Sequence, residues 1–217
     1  MIIKYFHDSN WTNDVASFLT KFVKRNKKKN LRLILTGGNS SKLINKQIIE
    51  NLNTDCRLNI YLSDERCTKF ANKESLNQTF FKRLNLNYKF IFFPILNIKK
   101  GFLESAKIYN KLINFTPDLI LLSVAKDGHV ASIFDLENNT KFKNIILTKI
   151  KFNKFKRISI SKNYLKKNSK IILLCNSLAR LKTFYRFSKK KNHVLNLLSN
   201  KKKLLLITKK SLKKYSI

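Results

Sequence analysis

Three short stretches of this chain carry residue types that can do chemistry together. In Asp127-Gly128-His129 a carboxylate and an imidazole flank a glycine. An imidazole takes and returns protons near neutral pH, and a carboxylate two residues away can orient it. In Gly37-Gly38-Asn39-Ser40 bare backbone runs into small capping side chains. Such a turn offers N–H groups to a phosphate or to sugar hydroxyls, although many strand-to-helix turns carry glycine for the turn alone. In Asp64-Glu65-Arg66 acids and a guanidinium can fix one another, and a fixed guanidinium grips phosphate in fork geometry. By itself that last segment also fits a surface ion pair. His7 and His193 stand in no comparable cluster.

Each stretch follows an apolar run that reads as a buried strand. Asp118 to Val124 (DLILLSV) precedes the histidine, Leu31 to Thr36 (LRLILT) the glycine pair and Leu58 to Leu62 (LNIYL) the acids. Continuous apolar runs of this length fit strands covered on both faces of a parallel sheet, and open α/β sheets bind ligands at the carboxyl ends of their strands. Helical spacing follows in between: Val15, Phe18, Leu19 and Phe22; Leu43, Ile44, Ile48 and Leu52; and the segments from about Glu74 to Leu84, Phe102 to Phe115 and Ser177 to Phe187. Further strands are expected at 2–6, 90–93, 144–148, 157–160, 170–175 and 204–208. The alternation predicts a single α/β domain over residues 1–217, a mostly parallel, doubly wound, modified Rossmann-like sheet flanked by helices.

Composition narrows the classes. No apolar run approaches the roughly 18 residues of a membrane span, and MIIKYFHDSN lacks the basic and apolar regions of a signal peptide, so a cytoplasmic protein with no membrane partner is expected. Three cysteines, Cys56, Cys67 and Cys175, form no CxxC pair, which suggests neither disulfides nor a metal site. With 46 Lys and Arg against 12 Asp and Glu, the net charge is +34, and no acid follows Glu137. Such a balance can signal nucleic-acid binding. The basic residues are spread over every segment, however, and abundant Lys, Asn and Ile with scarce Gly and Pro fit drift of an AT-rich coding sequence. No specific nucleic-acid partner is therefore expected. Drift makes the exceptions informative: of only four glycines, three are Gly37, Gly38 and Gly128.

Taken together, TGGNSS at 36–41, SDERC at 63–67 and DGHVASIF at 127–134 resemble the motifs of the 6-phosphogluconolactonases, in a superfamily shared with glucosamine-6-phosphate deaminases. Glu74-Ser75 lies at the family's spacing beyond DER, and RISIS at 157–161 resembles its RxTLT strand. IILLCNSLAR resembles the strand and turn that carry a phosphate-binding lysine, with Arg180 in the lysine's place. The deaminases resemble DEY and AFNEP where this chain has Asp64-Glu65-Arg66 and Ala131-Ser132-Ile133-Phe134, so both positions favour the lactonase. The departures are Ser123 and Ala125 for glycines before DGH, Leu76 for an Asn, and the loss of prolines after Ser41 and before Arg157.

The resemblance implies hydrolysis of 6-phospho-D-glucono-1,5-lactone in the pentose phosphate pathway, without metal or cofactor, by a monomer or weak dimer. It makes His129 the general base, with Asp127 and Asp64 as orienting carboxylates. Gly37, Gly38, Asn39, Ser40, Arg66, Arg157 and Arg180 become the sugar- and phosphate-binding set. The alternatives are an isomerase or deaminase of the same superfamily, or a basic nucleic-acid-binding protein.

Overall fold

The computed structural model describes residues 1–25, 27–52, 56–68, 77–84, 89–134, 142–148 and 155–216. In chain order its strands are β1 (Ile2–Phe6), β2 (Asn30–Leu35), β3 (Arg57–Leu62), β4 (Asp64–Cys67), β5 (Phe90–Phe93), β6 (Leu119–Ser123), β7 (Ile145–Thr148), β8 (Lys156–Ile160), β9 (Ile171–Cys175) and β10 (Leu205–Lys209). The helices are α1 (Trp11–Lys24), α2 (Asn39–Leu52), α3 (Asn77–Arg83), α4 (Gly101–Leu112), α5 (Lys162–Lys167), α6 (Leu178–Ser188) and α7 (Val194–Ser199). Seven strands form the main sheet in the order β1-β10-β9-β6-β2-β3-β5, every neighbouring pair parallel.

The apolar runs take the middle of this sheet because helices cover both faces. Leu119, Ile120, Leu121 and Leu122 of β6 are fully buried, as are Leu33, Ile34 and Leu35 of β2. The helix α1 turns Trp11, Val15, Leu19 and Val23 inward at helical spacing and packs on α2. From β2 the chain winds outward to β3 and β5. From β6, which lies on the other side of β2, it winds outward the opposite way to β9 and β10. The reversal leaves a crevice beyond the carboxyl ends of β2 and β6, the place where doubly wound sheets receive ligands. The glycine pair leaves β2 there, and the histidine turn leaves β6.

A second sheet was not legible in the sequence. The strands β4, β8 and β7 form a small antiparallel sheet, so the expected strands at 144–148 and 157–160 stand apart from the main layer. Ser63 is the joint between the sheets. Its N–H donates to Leu35 O at 2.9 Å in the main sheet, and its carbonyl accepts from Ile160 N at 2.9 Å in the small one. Beside it the buried Tyr109 of α4 donates its hydroxyl to Leu62 O at 2.7 Å, satisfying a carbonyl where the chain bends out of β3. Burial pushes the Tyr109 phenol well above its usual range, so it remains a donor.

Candidate active site

At the crevice lies a cleft of about 360 Å3 whose walls come from both sheets. Gly37, Gly38, Asp64, Arg66, His129, Arg157 and Arg180, seven of the residues singled out in the sequence, all line it. Thr36, Asn77, Ser123, Val124, Ala125 and Ala131 complete the lining. Asp127 stands just outside, bonded to His129. The side chains of Asn39 and Ser40 lie outside the described residues, as do Glu74-Ser75, Leu76 and residues 149–154.

His129 sits on a tight turn. Ala125 N–H donates to His129 O at 3.0 Å and Gly128 N–H to Ala125 O at 3.1 Å, so residues 125–129 close on themselves at the end of β6. Gly128 has φ +95°, in the left-handed region that a residue with a Cβ rarely adopts. The His129 ring is held by Asp127, whose Oδ1 lies 2.6 Å from Nδ1, and it packs against Phe134 with ring centroids 4.5 Å apart. An acceptor on Nδ1 places the proton there and leaves Nε2 with a free lone pair, the tautomer a general base needs. The two departures in this turn find a place. Ala125 keeps an ordinary backbone, since positive φ among non-glycine described residues is confined to Lys27, Ala131 and Asn192. Ser123 places its hydroxyl 3.0 Å from Arg180 Nη1 and accepts from it.

The glycine turn is braced from below and above. The buried Ser41 hydroxyl lies 2.9 Å from Gly37 O and 3.2 Å from Thr36 O, and Asn45 Nδ2 donates to Thr36 O at 2.9 Å. Above, Gly38 N–H donates to Asn77 Oδ1 at 3.1 Å, and any Cβ at Gly37 would run into the Asn77 side chain. Glycine at 37 thus makes room for an amide from α3.

The small sheet supplies the cationic wall. Arg66 of β4 and Arg157 of β8 are directly paired across the ladder, and both reach the cleft. Like charges opposite one another weaken a sheet, so an anion between them removes a cost the free protein carries. Asp64 anchors this wall. It is 6% exposed, its Oδ1 accepts from Ser63 Oγ at 3.0 Å and its Oδ2 from Ser132 Oγ at 2.5 Å. Arg157 Nη1 lies 3.6 Å from Asp64 Oδ2 and 3.3 Å from Ser132 Oγ, and its buried Nε has no acceptor among the described residues. The third guanidinium, Arg180, stands in the first turn of α6, capped by Ser177, and donates to Ser123 Oγ and to Asn176 Oδ1 at 3.1 Å.

Glu65 is the hidden member of the motif. It is 1% exposed and points away from the arginines into α3, its Oε2 accepting from Gln78 N at 2.7 Å and its Oε1 from Arg66 N at 2.9 Å. Gln78 in turn exchanges two 3.1 Å bonds with the backbone of Leu96. Burial pushes the Glu65 carboxyl up to about 7, helped by the negative Asp64 and opposed by the backbone N–H donors of Gln78, Arg66 and Asn77. Cys67 and Cys175 are buried thiols pushed up to about 12, mainly by desolvation, and are not poised as nucleophiles. No group of three or more His, Cys, Asp or Glu side chains that could hold a metal ion occurs among the described residues, and no helix among them is long and apolar enough to cross a membrane.

A family model described as glucosamine-6-phosphate isomerases/6-phosphogluconolactonase matches residues 8–197. A 6-phosphogluconolactonase of Thermotoga maritima is 29% identical over 121 residues, a match that covers 50% of this chain and spans about half, 52%, of that relative. Among solved structures, a 6-phosphogluconolactonase from Thermotoga maritima superposes with a TM-score of 0.77 at 20% identity, covering 96% of this chain and 99% of the other. A monomeric glucosamine-6-phosphate deaminase superposes with 0.75 at 13% identity, covering 99% of both. At such identities the superpositions show the shared fold, and they do not separate one chemistry from the other.

Proposed function

Because the chain belongs to the glucosamine-6-phosphate isomerase/6-phosphogluconolactonase family, we propose that it hydrolyses 6-phospho-D-glucono-1,5-lactone to 6-phosphogluconate, as a cytoplasmic enzyme of the pentose phosphate pathway. The observation that carries this reading is the Asp127–His129 pair and three arginines opening on one cleft. His129 Nε2 takes a proton from a water molecule as its oxygen attacks the lactone carbonyl carbon. The tetrahedral oxyanion collapses with cleavage of the bond to the ring oxygen, and His129 returns the proton to that oxygen. Asp127 keeps the ring oriented and stabilises the imidazolium that forms between the two steps. Arg66, Arg157 and Arg180 hold the phosphate, Asp64 and Ser132 fix Arg157, and Gly37 and Gly38 let the sugar approach the backbone. A lactone carbonyl is reactive enough that this reading needs no metal, cofactor or covalent intermediate.

The deaminase reading rests on the second superposition. Arg66 and the Ala131–Phe134 segment depart from the pattern the deaminases carry, and these positions favour the lactonase. Purified protein should speed the loss of freshly made 6-phosphoglucono-δ-lactone above the spontaneous rate, with His129→Ala at background. Wild-type protein indistinguishable from buffer, or ammonia released from glucosamine 6-phosphate, overturns the assignment.

A further inference from the structure

The helix α6 brings three residues to one face, at spacings of three and four: Arg180, Thr183 and Phe187. Arg180 lines the cleft. Thr183, 8% exposed, donates its hydroxyl to Lys126 O at 3.0 Å, inside the histidine turn. Phe187 lies under the same turn, where a Cβ placed on Gly128 would come within 2.7 Å of the ring. We propose that this face of α6 is a brace for the site, with Phe187 a positioning residue that sets the height and tilt of the turn carrying His129. The activity arm of the test rests on the lactonase reading; the brace itself does not.

The contacts around Phe187 are those of a fixed support. Its ring stacks on His193 with centroids 4.4 Å apart and planes 18° apart. Arg186 and Lys190 lie over it at 4.5 and 5.7 Å from the centroid. His193 is itself tied down, its Nδ1 accepting from Leu195 N at 3.0 Å as the cap of α7. The ring is half-buried and packs at the margin of the core. What rests on its edge is Gly128, the residue between Asp127 and His129. Removing the support lets that backbone settle, and the 2.6 Å bond from Nδ1 to Asp127 changes with it. A glycine at φ +95° has no side chain of its own to hold it, so without the ring the turn is left to its backbone bonds and to the Thr183 hydroxyl on Lys126 O. Because Arg180 stands on the same helix face, the brace also fixes the spacing between the phosphate grip and the base.

Histidine-labelled protein, with three imidazoles at His7, His129 and His193, gives a readout that needs no turnover. In Phe187→Ala the His129 ring resonances are expected to move while those of His7 stay still; Phe187→Tyr, which keeps the ring, restores them. His193 moves in any case, because it has lost its stacking partner. In the lactone assay Phe187→Ala and Thr183→Val should lose kcat by on the order of tenfold or more, with KM within about twofold. Phe187→Leu serves if the alanine variant does not fold. Unmoved His129 resonances in a folded Phe187 variant, or equal effects in the alanine and tyrosine variants, overturn the proposal whatever the assay shows. A wild-type protein without lactonase activity sinks the functional reading alone, and the resonances then decide the brace.

Discussion

Asp127 and His129 test the site at the scale of single residues. If Asp127 fixes the tautomer, Asp127→Asn leaves the fold intact and lowers kcat on the order of ten- to a hundredfold with KM little changed, in a steady-state lactonase assay. If Arg157 holds the phosphate, Arg157→Lys, which keeps the charge but loses the planar guanidinium beside Asp64 and Ser132, raises KM more than it lowers kcat. The members of the site that were legible in the sequence are types this composition makes scarce, an acid or a glycine, or sit in a motif. Asn77 was not, because asparagine is common here and its partner Gly38 lies far off in the chain; Ser132 and Asn176 stood inside their motifs, but their bonds to Asp64 and Arg180 were not legible there. Glu65 was visible within its motif, but its burial was not. Alternation along β4 sends it to the side opposite Arg66.

Glu65 joins the scale of elements because its carboxylate receives the first N–H groups of α3. Its folded pKa of about 7 lies above the ordinary 4.5, so the folded state holds the proton more tightly than the unfolded chain. That contribution to stability is fully present below about pH 4.5 and is lost as pH rises through 7, a total of roughly 3 kcal/mol. Urea melts at pH 5 and pH 7.5 should therefore show wild type losing more stability between the two than Glu65→Gln; parallel curves refute the linkage. The bend after β3 gives a second test. Tyr109→Phe strands the Leu62 carbonyl in the core and should cost about 1–2 kcal/mol in the same melts. The long parallel strands announced themselves as unbroken apolar runs. The small sheet did not, since β4 and β7 span four residues each and β8 five, and their pairing depends on where Ser63 turns the chain.

On the whole molecule the charge of +34 acts as self-repulsion. The ion pairs described at the surface, such as Lys46–Glu50 at 3.8 Å and Lys107–Glu104 at 3.4 Å, are exposed and offset little of it. Added salt should raise the melting midpoint, sulfate more than chloride, and affinity for nucleic acid should vanish near physiological salt. A midpoint indifferent to salt contradicts this. The class of fold was legible because its central strands are continuous and its helices periodic; the two-sheet construction of the cleft was not, because it is decided by a single hinge-like serine. That serine has a further meaning. His129 hangs from the large sheet and Arg66 and Arg157 from the small one, while Arg180 and the glycine turn stay with the large sheet, so the cleft takes its lining from two scaffolds that meet at Ser63. On the proposed reading, substitutions in β4 and β8 change the hold on the phosphate while the turn that carries His129 keeps its place on the large sheet.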